Sequence, residues 1–279
     1  MSGRLREIAR QTVAIAESGR YRNGTGAEVD IGEAVRAAVA GTRHHLPDEV
    51  LAARNAEPGA GTVEVTGEST LQAAHRLGPG AACLVFASAK NPGGGFLSGA
   101  KAQEESVARA SALYPCLRAA GDFYAFHRGQ QDLRYSDRVI FSPHVPVFRD
   151  DEGNLLDQPY TTSFLTAAAP NLGAIVRNQP THAADVPAVL ARRARRVLEV
   201  AAAHGCRTVV LGAWGCGVFR NDPAVVADAF AEALRVVDRF DHVVFAIRDG
   251  LPGTPVHRTF VERFLGTPVG SPAAEGDDR

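Results

Sequence analysis

The chain has 279 residues, a formal net charge of −1 and 45% hydrophobic residues, a balance ordinary for a globular protein of one large or two small domains. A near-zero charge argues against a broad basic face for sequence-specific nucleic-acid binding while leaving room for a small positive pocket, and no apolar run approaches the roughly 18 residues that a membrane-spanning helix needs. The four cysteines, Cys83, Cys116, Cys206 and Cys216, are widely spaced and form no CxxC pair, which points to a reducing, cytoplasmic setting without structural metal.

Residues 4–18 place Leu5, Ile8, Ala9, Thr12, Val13 and Ile15 near one face of an amphipathic helix whose internal charges do not suit a signal peptide. Gly19 is its stop. Asn23-Gly24 predicts a small hairpin over 20–31. A helix over 32–40 follows, and Pro47-Asp48-Glu49 opens a third, short one. Residues 1–60 thus read as a helical accessory segment. Residues 62–66 alternate as a strand, Gly67-Glu68-Ser69-Thr70 turns into a helix over 71–77, and 81–87 form a continuous apolar run, the mark of a strand buried on both faces. A glycine run and a loop of small residues lead to a helix that opens at Gln103, passes Val107, Ala110 and Tyr114, and is kinked or ended by Pro115. Residues 121–138 are the least regular stretch. Phe123, Tyr124, Phe126, His127 and Tyr135 either cover a site or anchor a loop on the core.

Strands over 138–148 and 161–168 flank a turn, the first of them bent or at an edge because of Pro143 and Pro146. In the helix over 186–204, Val186, Leu190, Ala194, Val197, Leu198 and Ala201 make one face, and Arg192, Arg193, Arg195 and Arg196 make a solvated one. A short buried strand at 208–211 enters a second glycine-rich loop, 212–219. Asp222 caps the next helix with Pro223 in its first turn. A strand over 242–247 and a helix over 256–265 complete a domain of residues 61–266, and the polar tail, 267–279, is expected to be disordered. The alternation predicts an α/β three-layer sandwich, a mixed sheet with helices on both faces.

In such sheets ligands sit at the carboxyl ends of the strands, and both glycine-rich loops fall there. Gly93, Gly94 and Gly95 leave no Cβ in the way of a ligand, and seven residues later stands Gln103-Glu104-Glu105. This is no P-loop, because Ala100 occupies the position of its lysine. Taken singly, the glycines are explained by a tight turn and the glutamates by the helix dipole. Together they suggest a cradle for a sugar phosphate joined to acid–base chemistry. Successive helical residues point about 100° apart, so the carboxylates take different roles, one protonating a leaving oxygen and the other holding a neighbouring hydroxyl. A helix N-terminus favours the ionised form, and a bound diphosphate with loss of water would oppose it. The second loop offers N–H groups to an anion, with Gly215, Gly217 and the Val218 amide as phosphate contacts and Phe219 as a wall for a ribose. Cys216 has no histidine at a spacing that would make it a nucleophile, and Trp214 reads as core.

Gly93-Gly94-Gly95 and Gln103-Glu104-Glu105, flanked by FASAKNP at 86–92 and by Lys101-Ala102, resemble the signature of the bacterial-type poly(ADP-ribose) glycohydrolases, and the two-loop order is similar to that of the macrodomain. The resemblance implies a macrodomain-like fold and hydrolysis of ribose–ribose O-glycosidic bonds, mainly from the chain end, to release ADP-ribose. It implies Glu105 as general acid and Glu104 on the adjacent ribose hydroxyls. Gly93, Gly94, Gly95 and Gln103 would line the diphosphate and terminal ribose, and Gly215, Cys216, Gly217, Val218 and Phe219 would form a second phosphate loop. Glu68 matches an acidic residue that meets adenine. Ser88 stands where animal-type enzymes carry Asn, and Asn91 is close by, so either meets the terminal ribose. No cofactor and no metal are implied. The partners implied are poly(ADP-ribose), ADP-ribose and ADP-ribosylated proteins, without membrane or sequence-specific nucleic acid, for a monomer with a part in the DNA damage response. A macrodomain that only binds ADP-ribose, and a hydrolase of single ADP-ribose units on proteins, are the competing readings.

Overall fold

The computed structural model describes residues 2–52, 57–59 and 61–266; the tail expected to be disordered lies outside them. The elements are α1 (Ser2–Ser18), β1 (Arg20–Arg22), β2 (Glu28–Asp30), α2 (Gly32–Gly41), β3 (Arg43–His45), β4 (Thr62–Thr66), α3 (Thr70–Leu77), β5 (Ala81–Phe86), α4 (Gln103–Ala110), α5 (Leu113–Ala119), α6 (Gly121–Arg128), β6 (Val139–Arg149), β7 (Leu155–Ala167), α7 (Leu172–Asn178), α8 (Val186–Ala203), β8 (Thr208–Leu211), α9 (Pro223–Val236), β9 (His242–Ala246) and α10 (Pro255–Leu265). Seven strands form one sheet in the order β3-β6-β7-β5-β8-β9-β4. The five from β7 to β4 are parallel, and β6 and β3 add antiparallel pairings at one side.

The apolar runs are continuous because both faces of the sheet are covered. Ala82 and Leu84 of β5 join the core under α8, α9 and α10, while Ala81, Cys83 and Val85 join the core under α3 to α6. This is the three-layer sandwich expected from the strand–helix alternation. The hairpin over 20–31, the Gly19 stop (φ 74°) and the Asp222 cap, which accepts from Ala224 N at 2.7 Å, are also as expected.

Five readings change. No helix opens at 47–49. Residues 43–45 pair instead with the open edge of β6, and Arg196 of α8 then holds the turn by donating to the Leu46 and Glu49 carbonyls. The Gln103 helix ends at Ala110, where Ser111 turns extended and bridges to Val147, and Pro115 sits in the first turn of α5, where its missing N–H is harmless. The aromatic stretch from 121 starts as a helix, α6, that buries Phe123, Tyr124 and His127 in the core. Residues 172–178, unassigned from sequence, form α7, whose N-cap Asn171 accepts from Ala174 N. Last, two arginines of the expected solvated face of α8 are buried: Arg193 is 0% and Arg196 6% exposed.

Pro143 marks the expected bend in β6, a register shift between Ser142 and Val145 with His144 at φ 46°. The long β6–β7 hairpin folds across α3: Tyr160 Oη donates to Leu71 O at 2.9 Å and its ring stacks on His75 at 4.7 Å. α1 is tied to both α4 and this hairpin through one buried hydroxyl. Thr12 Oγ1 donates to Arg109 O at 2.6 Å and accepts from Arg149 Nε at 3.1 Å.

Arg193 donates Nε to Asp137 Oδ1 at 2.8 Å and Nη1 to Ala168 O at 2.7 Å. Burial opposes ionisation of Asp137, but the Arg193 and Arg192 guanidiniums hold its carboxyl below the usual range. A depressed folded-state pKa stabilises the fold above the unfolded value of about 3.9 and loses that contribution as pH falls through the folded value. Asp137→Asn leaves a buried guanidinium without its counter-charge and is expected to lower unfolding stability by about 3 kcal/mol, read as a drop in urea midpoint at unchanged m-value. The loss shrinks below about pH 4. A midpoint equal to wild type at pH 7 would show that Ala168 O alone satisfies Arg193.

Candidate active site

The carboxyl ends of all five parallel strands open on one cavity of ≈ 1010 Å³. Its wall is made by residues 88–91 after β5, Ala169 after β7, residues 213–219 after β8, residues 246–249 at the end of β9, Glu68 after β4, and the first turns of α4.

Gln103 fixes where α4 begins. Its Oε1 accepts from Phe86 N at 2.9 Å, and its Nε2 donates to Leu84 O at 2.9 Å and Thr70 Oγ1 at 3.1 Å. One amide thus takes up the donor and acceptor that β5 presents as its ladder ends. The next two residues are turned inward: Glu104 is 3% and Glu105 9% exposed. Ser88 N donates to Glu104 Oε2 at 2.6 Å and Gly95 N to Glu105 Oε1 at 2.9 Å.

The glycine run lies against these two carboxylates and is not among the residues that line the cavity. A Cβ on Gly94, which has φ 60°, would stand 2.3 Å from Glu105 Oε1 and 2.9 Å from Glu104 Oε2. On Gly93, φ 69°, it would meet the Phe96 ring at 2.9 Å. Glycine is therefore required here for the side chains it admits.

Each carboxylate keeps a second oxygen, Glu104 Oε1 and Glu105 Oε2, buried and without a protein partner, and both residues line the cavity. Burial pushes Glu104 well above the usual carboxylate range and the Glu105 carboxylate adds to the rise, against the opposing N–H groups of Ser88 and Gly93. Glu104 is therefore primed to hold a proton by its own surroundings, before any diphosphate binds.

The second loop is clamped to the chain leaving β7. Trp214, 0% exposed, donates Nε1 to Ala167 O at 3.1 Å, and Asn221 Nδ2 donates to Pro170 O at 3.0 Å. With Arg193 on Ala168 O, three side chains hold three carbonyls of that exit. Gly215, φ 74°, is where the two segments touch: a Cβ would lie 2.4 Å from Asn221 Nδ2 and 2.7 Å from Ala169 Cβ. Among the described residues the N–H groups of Gly217, Val218 and Phe219 donate to no backbone carbonyl, so the loop presents donors toward an anion. Burial pushes the Cys216 thiol up to about 12, which is wrong for a nucleophile.

Glu68 lines the cavity with its carboxylate held by Arg76, at 2.9 Å from Nε and 2.7 Å from Nη2. The Ser88 hydroxyl accepts from Asn91 N at 3.1 Å and so shapes its own loop, while Asn91 is exposed on the wall. Of the aromatic residues expected either to cover a site or to anchor a loop, Tyr135 lines the cavity, whereas sequence reasoning missed Asp151 and Arg248. Tyr135, at φ 60°, faces Phe219 with ring centroids 6.2 Å apart. Asp151, from the β6–β7 tip, lies 3.6 Å from Arg248. The strand-end rule pointed to Arg248 directly; nothing local marks Asp151. Among the described residues no group of three or more His, Cys, Asp or Glu is gathered for a metal ion.

Residues 9–150 match the catalytic domain of microbial-type PARG. Among solved structures, the poly(ADP-ribose) glycohydrolase of Thermomonospora curvata is 49% identical with a TM-score of 0.86, over 94% of this chain and 100% of that one. The same protein bound to the inhibitor ADP-HPD is matched at 48% identity and a TM-score of 0.85, over 94% and 100% of the two chains. The Deinococcus radiodurans poly(ADP-ribose) glycohydrolase in complex with ADP-ribose is 43% identical with a TM-score of 0.76, over 84% of this chain and 98% of that one. No curated protein matches. With half its length under the family model and relatives this similar across their whole length, the chain belongs to the microbial-type poly(ADP-ribose) glycohydrolase family.

Proposed function

We propose that this chain hydrolyses the ribose–ribose O-glycosidic bond of poly(ADP-ribose), mainly at the chain end, and releases ADP-ribose. The observation that carries the reading is the pair of buried carboxylates on Gly94, each with one oxygen fixed by a backbone N–H and one unpartnered, on the wall of a strand-end cavity. Relatives solved with ADP-ribose and with ADP-HPD support it. Glu105 protonates the oxygen of the departing ribose while water adds to the anomeric carbon, and Glu104 holds the neighbouring ribose hydroxyls. The diphosphate rests on the N–H groups of 217–219, with Phe219 and Tyr135 as an aromatic wall. Its polymer substrate would be carried on ADP-ribosylated proteins. A monomer in a reducing cytoplasm, where the four free thiols persist, completes the reading.

Glu105→Gln keeps the shape and removes the proton. It is expected to abolish release of ADP-ribose from the polymer while ADP-ribose still binds by calorimetry. Release at the wild-type rate would remove Glu105 from the chemistry, and wild-type protein that binds polymer without cleaving it, with or without chelator, would sink the hydrolase reading.

The pH profile follows from the raised proton affinity of Glu104. The proton on Glu104 is present below its folded-state pKa and lost as pH rises through it, leaving a buried charge where the ribose hydroxyls are held, so kcat is expected to fall with rising pH, with a midpoint above the ordinary carboxylate range. A rate that climbs through that interval would contradict a protonated Glu104 in the working site.

Gly94→Ala forces a Cβ into both carboxylates at a left-handed φ. Stability is expected to fall by about 1–2 kcal/mol, whereas displacement of the acid by a few tenths of an ångström to about 1 Å costs on the order of 10²-fold in kcat. Equal and small effects on both would mean that the run does not position the pair.

A further inference from the structure

Lys90 and Lys101 are the only lysines in the chain. Both are exposed, and both line the cavity. The remaining cation of that wall is Arg248, at the opposite, β9 end. The two lysines belong to the segments that hold the carboxylates in place. Lys90 follows Ser88, whose N–H holds Glu104, and its own carbonyl is held by Arg128 Nη1 at 2.8 Å. Lys101 precedes Gln103, the residue whose amide locks the start of α4 onto β5.

This placement separates two ends of a bound polymer, given the reaction proposed above, on which the inference rests. The unit to be released lays its diphosphate on the loop after β8, and its far end runs toward β9 and β4. The leaving unit must then depart over the other side of Glu104 and Glu105, across the loop after β5 and the approach to α4. Its own diphosphate hangs from the ribose that carries the scissile oxygen, only a few bonds away. We infer that Lys90 and Lys101 hold the diphosphate of the leaving unit, and so distinguish a polymer from a single ADP-ribose. An ammonium on a flexible stem suits this role, because it binds phosphate as a point charge, without the fixed fork of a guanidinium, and lets go as the chain advances.

The test compares wild type with Lys90→Gln, Lys101→Gln, the double Gln variant and the double Arg variant. Polymer kcat/KM is expected to fall about tenfold in the double Gln variant at low salt. The slope of its logarithm against the logarithm of salt should flatten by about 1–2, the change expected when two lysine–phosphate pairs are removed. The Kd for ADP-ribose stays within about twofold of wild type, and the double Arg variant keeps most of the polymer activity. An equal loss for ADP-ribose, no loss for polymer, or a double Arg variant as impaired as the double Gln variant overturns the assignment. The same series in a Glu105→Gln background, read as polymer binding against ADP-ribose binding, keeps this test separate from the hydrolase reading: wild type inactive on polymer would sink the reaction, whereas polymer affinity unmoved by the lysine changes would sink the role of the lysines.

Discussion

Two adjacent carboxylates brought out of water are the constraint to which the rest of the site answers. Withdrawing one carboxylate into a protein costs several kcal/mol, and a hydrogen bond to a charged group returns about 1.5–3 kcal/mol. Glu104 and Glu105 each receive a backbone N–H through one oxygen and keep another oxygen buried and unpartnered. At Glu104 the deficit is met by retaining a proton, and burial is accordingly the leading cause of its raised affinity. The same arithmetic explains the backbone around them. N–H donors can reach both carboxylates only if the loop passes within contact distance, and at Gly94 no Cβ fits. The start of α4 must not drift, so an amide side chain, Gln103, fastens it to the end of β5.

The opposite wall is held by a different device. Trp214, Arg193 and Asn221 come from the second loop, α8 and the approach to α9, and each donates to a carbonyl of the chain leaving β7. Asn171 extends the arrangement, its N–H donating to Leu133 O at 3.0 Å, while Gly173 N donates to Phe219 O at 2.9 Å. Fixing the frame by side chains from three elements leaves the N–H groups of Gly217, Val218 and Phe219 without backbone carbonyl partners among the described residues, a donor set that is preorganised for an anion.

What is legible in the sequence is local or periodic. Apolar runs, the Asn-Gly turn, the Asp222-Pro223 start and the glycine loops carry their signals within a few residues, and they suffice for the sheet and for the place of the site on it. What is not legible depends on contacts far apart in the chain. β3 is three residues that become a strand because β6 has an open edge. Arg193 and Arg196 look like surface charges because nothing near them reveals Asp137 or the carbonyls they reach across the fold. Asp151 meets the cavity only because the β6–β7 hairpin folds over α3. The glycines are readable as a motif, but the reason for them is not: their pattern suggests room for a ligand, and the structure packs them against the glutamates.

The cations divide by the same logic. Of 30 lysines and arginines, all but two are arginine, and the buried arginines act as struts. Arg109 donates to Ala100 O, Arg149 to Gly153 O, Arg193 to Ala168 O, and Arg196 to Leu46 O and Glu49 O. A planar fork with several donors suits carbonyls whose positions are to be fixed, and the guanidinium, weakly hydrated, is the less costly cation to bury. The two lysines are exposed and line the cavity, where the proposed reaction must take up and release a flexible polyanion. A guanidinium there would supply the same charge through a fixed fork, whereas an ammonium supplies it as a point charge. The distribution of lysine in this chain is thus a physical argument about the leaving group, independent of the motif that locates the acid.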